Sequence, residues 1–190
     1  MKKIAITGNI ASGKSAVQEI LKAKGYKVLD TDDVSHELLT VKNQKLFDIF
    51  KEFDVFENNE FSRKKLGKLV FADQNLRKQL ENIMHPQIAQ KINDFFVQYK
   101  DEDIVFVGIP LLFEAGMQNL FDKIILVYAD DNIRLERLIK RNDYSFEYAK
   151  SRLKCQMSQN EKINKSDYII NNNTSINALK SAVESFLKQV

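Results

Sequence analysis

The chain has 190 residues, 44% of them hydrophobic and 29% charged, with a formal net charge of +3. That length supports one well-buried core with inserted substructure, and the composition excludes a disordered chain. The small positive excess is scattered among charges of both signs, so it makes no basic block for nucleic acid.

The lone cysteine, Cys155, excludes an intramolecular disulfide and fits a reducing compartment. No apolar run approaches the roughly 18 residues of a membrane span. Few apolar residues precede Gly8, too few for the core of a secretory signal. The expectation is a soluble, cytoplasmic protein that binds neither nucleic acid nor membrane.

In chain order, residues 4–7, 27–29, 104–107, 123–128 and 168–170 form short apolar runs rich in β-branched residues and read as strands. After the first comes Gly8 and then a helix with Val17, Ile20 and Leu21 on one face, ended by Gly25. From Ser35 to about Lys100 no strand pattern appears. Leu38, Leu39, Leu46, Phe47, Phe50 and Phe53, then Phe71, Leu76, Leu80 and Ile83, predict several inserted helices, with a boundary at His85-Pro86. Beyond Tyr128 a polar, arginine-bearing segment runs to about Lys165. The last helix repeats Leu179, Val183, Phe186 and Leu187 on one face after Ser175 as N-cap. The alternation predicts an α/β fold whose parallel sheet is covered on both faces.

Gly8-Asn9-Ile10-Ala11-Ser12-Gly13-Lys14-Ser15 has two glycines, a lysine and a hydroxyl residue at phosphate-loop spacing, after a strand and before a helix. Gly13 lets the backbone turn its amides towards phosphate oxygens, and the helix N-terminus favours an anion. Lys14 would reach the β and γ phosphates, and Ser15 would ligate Mg²⁺. A chance match in such a chain is on the order of one per cent, so the pattern predicts a nucleoside triphosphate as ligand.

The next carboxylates, Asp30, Asp32 and Asp33, follow the second strand, where an acid can face the γ-phosphate. One could take the proton of an attacking hydroxyl or help hold the metal, and position alone does not choose among them. Arg134, Arg137 and Arg141 share one helix face and could clamp phosphate. Taken alone, such a stripe is more often a solvated face paired with Glu136 and Asp130. The Pro110 to Glu114 corner, with Leu111 and Leu112, could line a substrate cleft or be a buried strand-to-helix corner. His85 could bind phosphate, although a lone histidine before proline is more often structural.

Taken together, these stretches resemble the dephospho-coenzyme A kinase family. The residues that carry the likeness are "ITGNIASGKS", "VLDTDDVSHEL", "FSRKKLGKLVF", "IMHPQI", "IPLLFEAG", "ERLIKRNDYSFEYAKSRLKCQ", Glu161-Lys162 and "SDYIINNN", in order and over nearly the whole chain.

The resemblance implies a single P-loop kinase domain with a five-stranded parallel sheet flanked by helices. Its core would be residues 1–34, 103–133 and 165–190, with a helical substrate-binding insertion at 35–102 and a helical lid at 134–164. The implied reaction moves the γ-phosphoryl of ATP to the ribose 3′-hydroxyl of dephospho-coenzyme A, the last step of coenzyme A synthesis. By the same resemblance Asp32 is the base, and Lys14, Arg137 and Arg141 are catalytic. Gly8, Ala11, Ser12, Gly13, Lys14, Ser15, Ala16 and Asn172 bind ATP. Asp32, Arg63, His85, Leu111, Leu112 and Glu114 face the acceptor.

Ala16 stands where the family usually has threonine, Arg134 replaces a common glutamine, Asn142 a common aspartate and Thr31 an alanine. Asn9 and Ala11 replace loop glycines, and alanine at 11 predicts ordinary backbone dihedrals there. Gly108 lacks the acid that often ends the third strand in P-loop enzymes. Ser15, phosphate oxygens, water and Asp32 are then the sources of metal ligands. The rival readings are another small-molecule P-loop kinase, acting on a nucleoside, nucleotide or shikimate-like acceptor, and a nucleotide-binding regulatory or nucleic-acid-binding protein.

Overall fold

The first predicted strand extends over Lys2–Thr7 (β1) and is followed by α1 (Lys14–Ala23), β2 (Lys27–Asp30), α2 (Thr31–Leu38) and α3 (Gln44–Phe50). Then come β3 (Phe56–Glu57), β4 (Glu60–Phe61), α4 (Arg63–Ala72), α5 (Gln74–Gln98), β5 (Ile104–Gly108) and β6 (Lys123–Tyr128). The chain closes with α6 (Asp131–Asn142), α7 (Phe146–Lys154), α8 (Gln159–Ile163), β7 (Tyr168–Asn171) and α9 (Ile176–Leu187). The computed structural model describes residues 1–190. It divides into two compact units, residues 1–30 with 95–190, and residues 31–94.

In the first unit all five predicted strands form one parallel sheet in the order β2-β5-β1-β6-β7. Ile4, Ile6, Phe106, Ile125, Val127 and Ile170 point to one face and pack against Val17, Ile20 and Leu21 of α1 and Leu179, Val183 and Phe186 of α9. On the other face Ala5, Val105, Val107 and Leu126 are also fully buried. Burial on both sides explains why these strands read as continuous apolar runs. Ser175 caps α9, its side chain accepting from the Ala178 amide at 3.3 Å, as the sequence predicts.

β1 lies between β5 and β6, so the chain order reverses around it. The loop leaving its carboxyl end therefore sits where open α/β sheets hold ligands.

The second unit departs from the sequence expectation twice. Residues 35–100 are not free of strands: β3 and β4 form an antiparallel hairpin. Its two-residue turn, Asn58-Asn59, has φ of 50° and 63°, the twist that such hairpins need and that asparagine tolerates. Phe56 and Phe61 meet across it with ring centroids 4.7 Å apart. The predicted helix boundary at His85-Pro86 is also absent, since α5 runs unbroken through Pro86. Proline removes one helical hydrogen bond there, but Met84, Ile88 and Ile92 stay buried at four-residue spacing on both sides of it.

Candidate active site

The loop between β1 and α1 begins with a turn, in which the Ser12 amide donates to the Asn9 carbonyl at 3.0 Å. Its third residue, Ala11, has φ of 63°, which corrects the expectation of ordinary dihedrals. The left-handed region costs a residue with a Cβ about 1–2 kcal/mol, so contacts elsewhere must impose it. Gly13 follows with φ of 100°, and a Cβ there would collide with the Asn172 amide. Helix α1 then starts at Lys14, with Ser15 exposed in its first turn. Ala16 packs on the hydrophobic core.

Lys14 is almost fully buried. Its ammonium lies 3.1 Å from both carboxylate oxygens of Asp30 and 3.0 Å from Gln18 Oε1. Gln18, one turn along the same helix face, is itself buried. A Cβ on Gly108 would fall on its side-chain amide, so the glycine that ends β5 makes room for the residue that holds Lys14. Neither Asp30 as the partner of Lys14 nor Gln18 was singled out in the sequence. The four-residue spacing of Lys14 and Gln18 was the available signal.

Residues distant in sequence hold the loop from outside. The Asn9 side-chain amide donates to the Met157 carbonyl at 2.9 Å, and the Ile10 amide donates to Gln156 Oε1 at 2.7 Å. Arg134 Nε donates to the Ile10 carbonyl at 3.0 Å. From the end of β7, Asn172 Nδ2 donates to the Ser12 carbonyl at 2.8 Å, while the Asn172 carbonyl accepts from Arg137 Nη2 at 2.9 Å.

The three arginines on α6 thus differ in environment. Arg134 is 2% exposed and pairs with Asp131 at 2.8 Å, rather than with Asp130 or Glu136. Burial lowers its pKa from the usual value, against the opposing pull of Asp131. Arg137 is half-buried, with its Nη1 lacking a protein partner. Arg141 is exposed and bonds only to its neighbour Asn142.

Near Pro110, Leu111 is 39% exposed and Leu112 0%. The complete burial of Leu112 fits the reading of this stretch as a buried strand-to-helix corner better than that of a cleft lining at this position. Glu114 is engaged within the protein, accepting from the fully buried Lys162 at 2.9 Å and from the Met157 amide at 3.1 Å.

The second unit carries three of the predicted site residues. Asp32 lies exposed in the first turn of α2, where a carboxylate also complements the helix dipole. Arg63 is exposed at the start of α4, and His85 is half-buried within α5.

No three His, Cys, Asp or Glu side chains converge to cage a cation. The exposed Ser15 hydroxyl at a helix N-terminus suits a hard cation that arrives on phosphate oxygens and keeps its waters.

Residues 2–178 match the family model described as dephospho-CoA kinase. A dephospho-CoA kinase of Oceanobacillus iheyensis is 37% identical over 191 residues, covering 98% of this chain and 96% of the relative. One of Helicobacter pylori is 39% identical over 188 residues, covering 97% and 95%. Among solved structures, a Thermus thermophilus protein matches with a TM-score of 0.87 at 32% identity, covering 100% of this chain and 97% of that one. The dephospho-CoA kinase from Campylobacter jejuni matches at 0.67 and 32%, covering 99% and 96%. A shikimate kinase from Acinetobacter baumannii, with a TM-score of 0.55 at 13% identity over 100% of this chain and 92% of that one, shares the fold alone.

Proposed function

The chain belongs to the dephospho-coenzyme A kinase family, and from that membership we propose how its residues carry out the reaction. It is a phosphotransferase of coenzyme A biosynthesis with an alcohol acceptor. The γ-phosphoryl group leaves the β–γ bridging oxygen of ATP and joins the ribose 3′-oxygen of dephospho-coenzyme A, giving ADP and coenzyme A.

The loop amides of residues 8–16 and the ammonium of Lys14 hold the phosphates. Lys14 stands at the N-terminus of α1 after the turn containing Ala11 and Gly13, and this single arrangement best supports the assignment. Mg²⁺, ligated by Ser15, would neutralise phosphate charge. Asp32 orients the 3′-hydroxyl and accepts its proton as the oxygen attacks. Arg137 and Arg141 offset charge on the transferring group, and the buried Arg137 Nη1 without a protein partner is a donor suited to an anion.

Residues 35–102 would receive the acceptor through Arg63 and His85, with Leu111 and Glu114 of the corner after β5 also on its path. Residues 134–164 would act as a lid that excludes water, so that the phosphoryl group reaches a hydroxyl rather than water. Asn172 would border the nucleotide from the end of β7. A cytoplasmic location fits this biosynthetic role.

The test measures ADP release across a panel of dephospho-coenzyme A, nucleosides, nucleotides and shikimate, with mass spectrometry to place the new phosphate. Stimulation by dephospho-coenzyme A with the phosphate at the 3′ position is the expected result. No stimulation by dephospho-coenzyme A would overturn the proposal.

A further inference from the structure

The turn Asn9-Ile10-Ala11-Ser12 has two backbone forms that differ by a flip of its central peptide, Ile10-Ala11. In one form the third residue has negative φ, which any residue accepts. In the other it has positive φ, which favours glycine. The chain adopts the second form with an alanine: Ala11 has φ of 63°, while Ile10 is not in the positive region. Since alanine alone would choose the first form, the surroundings must hold the flipped peptide.

The group that touches it is Arg134. Its Nε donates to the Ile10 carbonyl, the carbonyl of the flipped peptide itself, at 3.0 Å. The guanidinium is fixed in turn: it is 2% exposed, and its Nη1 bonds Asp131 at 2.8 Å. Asp131 is steadied by the Gln159 side-chain amide, also at 2.8 Å. A second bond, from the Ile10 amide to Gln156 Oε1, fixes the other end of the same residue.

We propose that Arg134 is a positioning residue for ATP, a peptide clamp that holds the phosphate loop in the flipped form against the preference of Ala11. The peptide is planar and trans, so a carbonyl drawn towards Arg134 turns the Ala11 N–H to the opposite side. That amide is then presented as a donor to phosphate before the nucleotide arrives. Arg134 touches no reacting atom in this scheme and acts only through the loop. The inference rests on the loop being the ATP site.

A cycle of Arg134→Met, Ala11→Gly and the double variant tests this, read by the Kd for ATP from calorimetry and by kcat and KM in the acceptor assay. Arg134→Met should raise the Kd and KM for ATP about tenfold while changing kcat much less. The same substitution in the Ala11→Gly background should cost at least fivefold less, because glycine enters the flipped form without the roughly 1 kcal/mol that alanine needs.

Glycine makes the unfolded chain more flexible but also removes the strain that alanine carries at this φ, so Ala11→Gly should leave Tm unchanged or raise it while it rescues binding. A merely structural role for Arg134 predicts no rescue, with Arg134→Met costing as much ATP affinity beside glycine as beside alanine. If Arg134→Met is insoluble, Arg134→Leu carries the same cycle.

Coupling below twofold between positions 11 and 134 would overturn the clamp, as would unchanged ATP affinity in the Arg134 variants. Failure of the unsubstituted protein to bind ATP would instead overturn the loop assignment on which the clamp depends.

Discussion

The ammonium of Lys14 is held at 3.1 Å by both carboxylate oxygens of Asp30 and at 3.0 Å by Gln18. A lysine loses up to about 2 kcal/mol of rotamer freedom when it is fixed. Here the fold has already fixed it at the start of α1, beside the loop proposed to hold the phosphates. Lys14→Ala should therefore lower kcat/KM by at least about 100-fold, the scale of losing one charged donor to a developing anion. Lys150, exposed on α7 over the Phe146 ring, is the control, and Lys150→Ala should change kcat/KM by less than about twofold. Equal activity of the two variants would remove Lys14 from the phosphate site.

Asp32 is assigned the proton, and a carboxamide cannot accept it. Asp32→Asn should lower kcat by about 100-fold or more with a small change in the KM for ATP, since general-base help is worth about 10²–10⁴. Steady-state kinetics with dephospho-coenzyme A checks this, and turnover equal to the unsubstituted enzyme would show that another group takes the proton.

Gly13 combines φ of 100° with a neighbour, the Asn172 amide, in the space a Cβ would need. Gly13→Ala therefore adds backbone strain of about 1–2 kcal/mol and displaces the bond from Asn172 to the Ser12 carbonyl. The expected outcome is a Kd for ATP raised more than tenfold, measured by calorimetry, with the protein still folded by circular dichroism. Removing the obstructing side chain in Gly13→Ala/Asn172→Ala should not restore full affinity, because the φ strain remains.

How much of this was legible in the sequence depended on the distance between partners. The five sheet strands were: in β1, β5 and β6 burial on both faces leaves unbroken apolar runs such as Ile124 to Val127, and the less buried edge strands β2 and β7 still show short ones. The β3–β4 hairpin was not, since strands of two residues show no alternation, although Asn58-Asn59 between Phe56 and Phe61 was a usable turn signal.

In the site, Gly8 to Ser15 stood out as a contiguous pattern. Its supports did not: Arg134 meets Ile10 across 124 positions and Asn172 meets Ser12 across 160. An arginine stripe on a helix face looks the same whether a member is solvated, as Arg141 is, or buried against a carbonyl, as Arg134 is. Only the tertiary contact distinguishes them.

Glu114 illustrates the same point, and it yields a stability prediction. Lys162 is 0% exposed, with Glu114 as its only anionic partner within ion-pair range. Glu114→Gln leaves that ammonium with neutral acceptors, among them the Pro110 carbonyl at 3.3 Å. Breaking a buried pair from one side typically costs about 3–5 kcal/mol, and because glutamine keeps one acceptor the expectation is about 2–3 kcal/mol. In a chain of this size that lowers Tm by about 5–10 °C. The double variant Glu114→Gln/Lys162→Met should recover part of the loss, since it removes the uncompensated charge. A double variant less stable than Glu114→Gln would contradict the ion-pair account.

At the other end of the sheet, Asp167 fastens β7 to β6, and through β7 it positions Asn172. Burial pushes its carboxyl pKa up. The hydrogen bond from Lys123 at 2.8 Å and that from the Ile124 amide at 2.8 Å outweigh this and hold it below the ordinary 3.8. A carboxyl pKa lower in the folded than in the unfolded chain favours folding while the group is charged. The contribution is complete above 3.8 and disappears as pH falls through the lower folded value. For Lys123 the sign reverses: its hydrogen bond to Asp167 raises its pKa above 10.5, so its contribution is complete below 10.5 and lost as pH rises through the folded value. The Tm difference between the unsubstituted protein and Asp167→Asn should therefore be largest near neutral pH and shrink below about pH 3.8 and above about pH 10.5. Thermal melts across that range check it, and a difference that stayed constant with pH would mean that the Lys123–Asp167 pair contributes through shape alone.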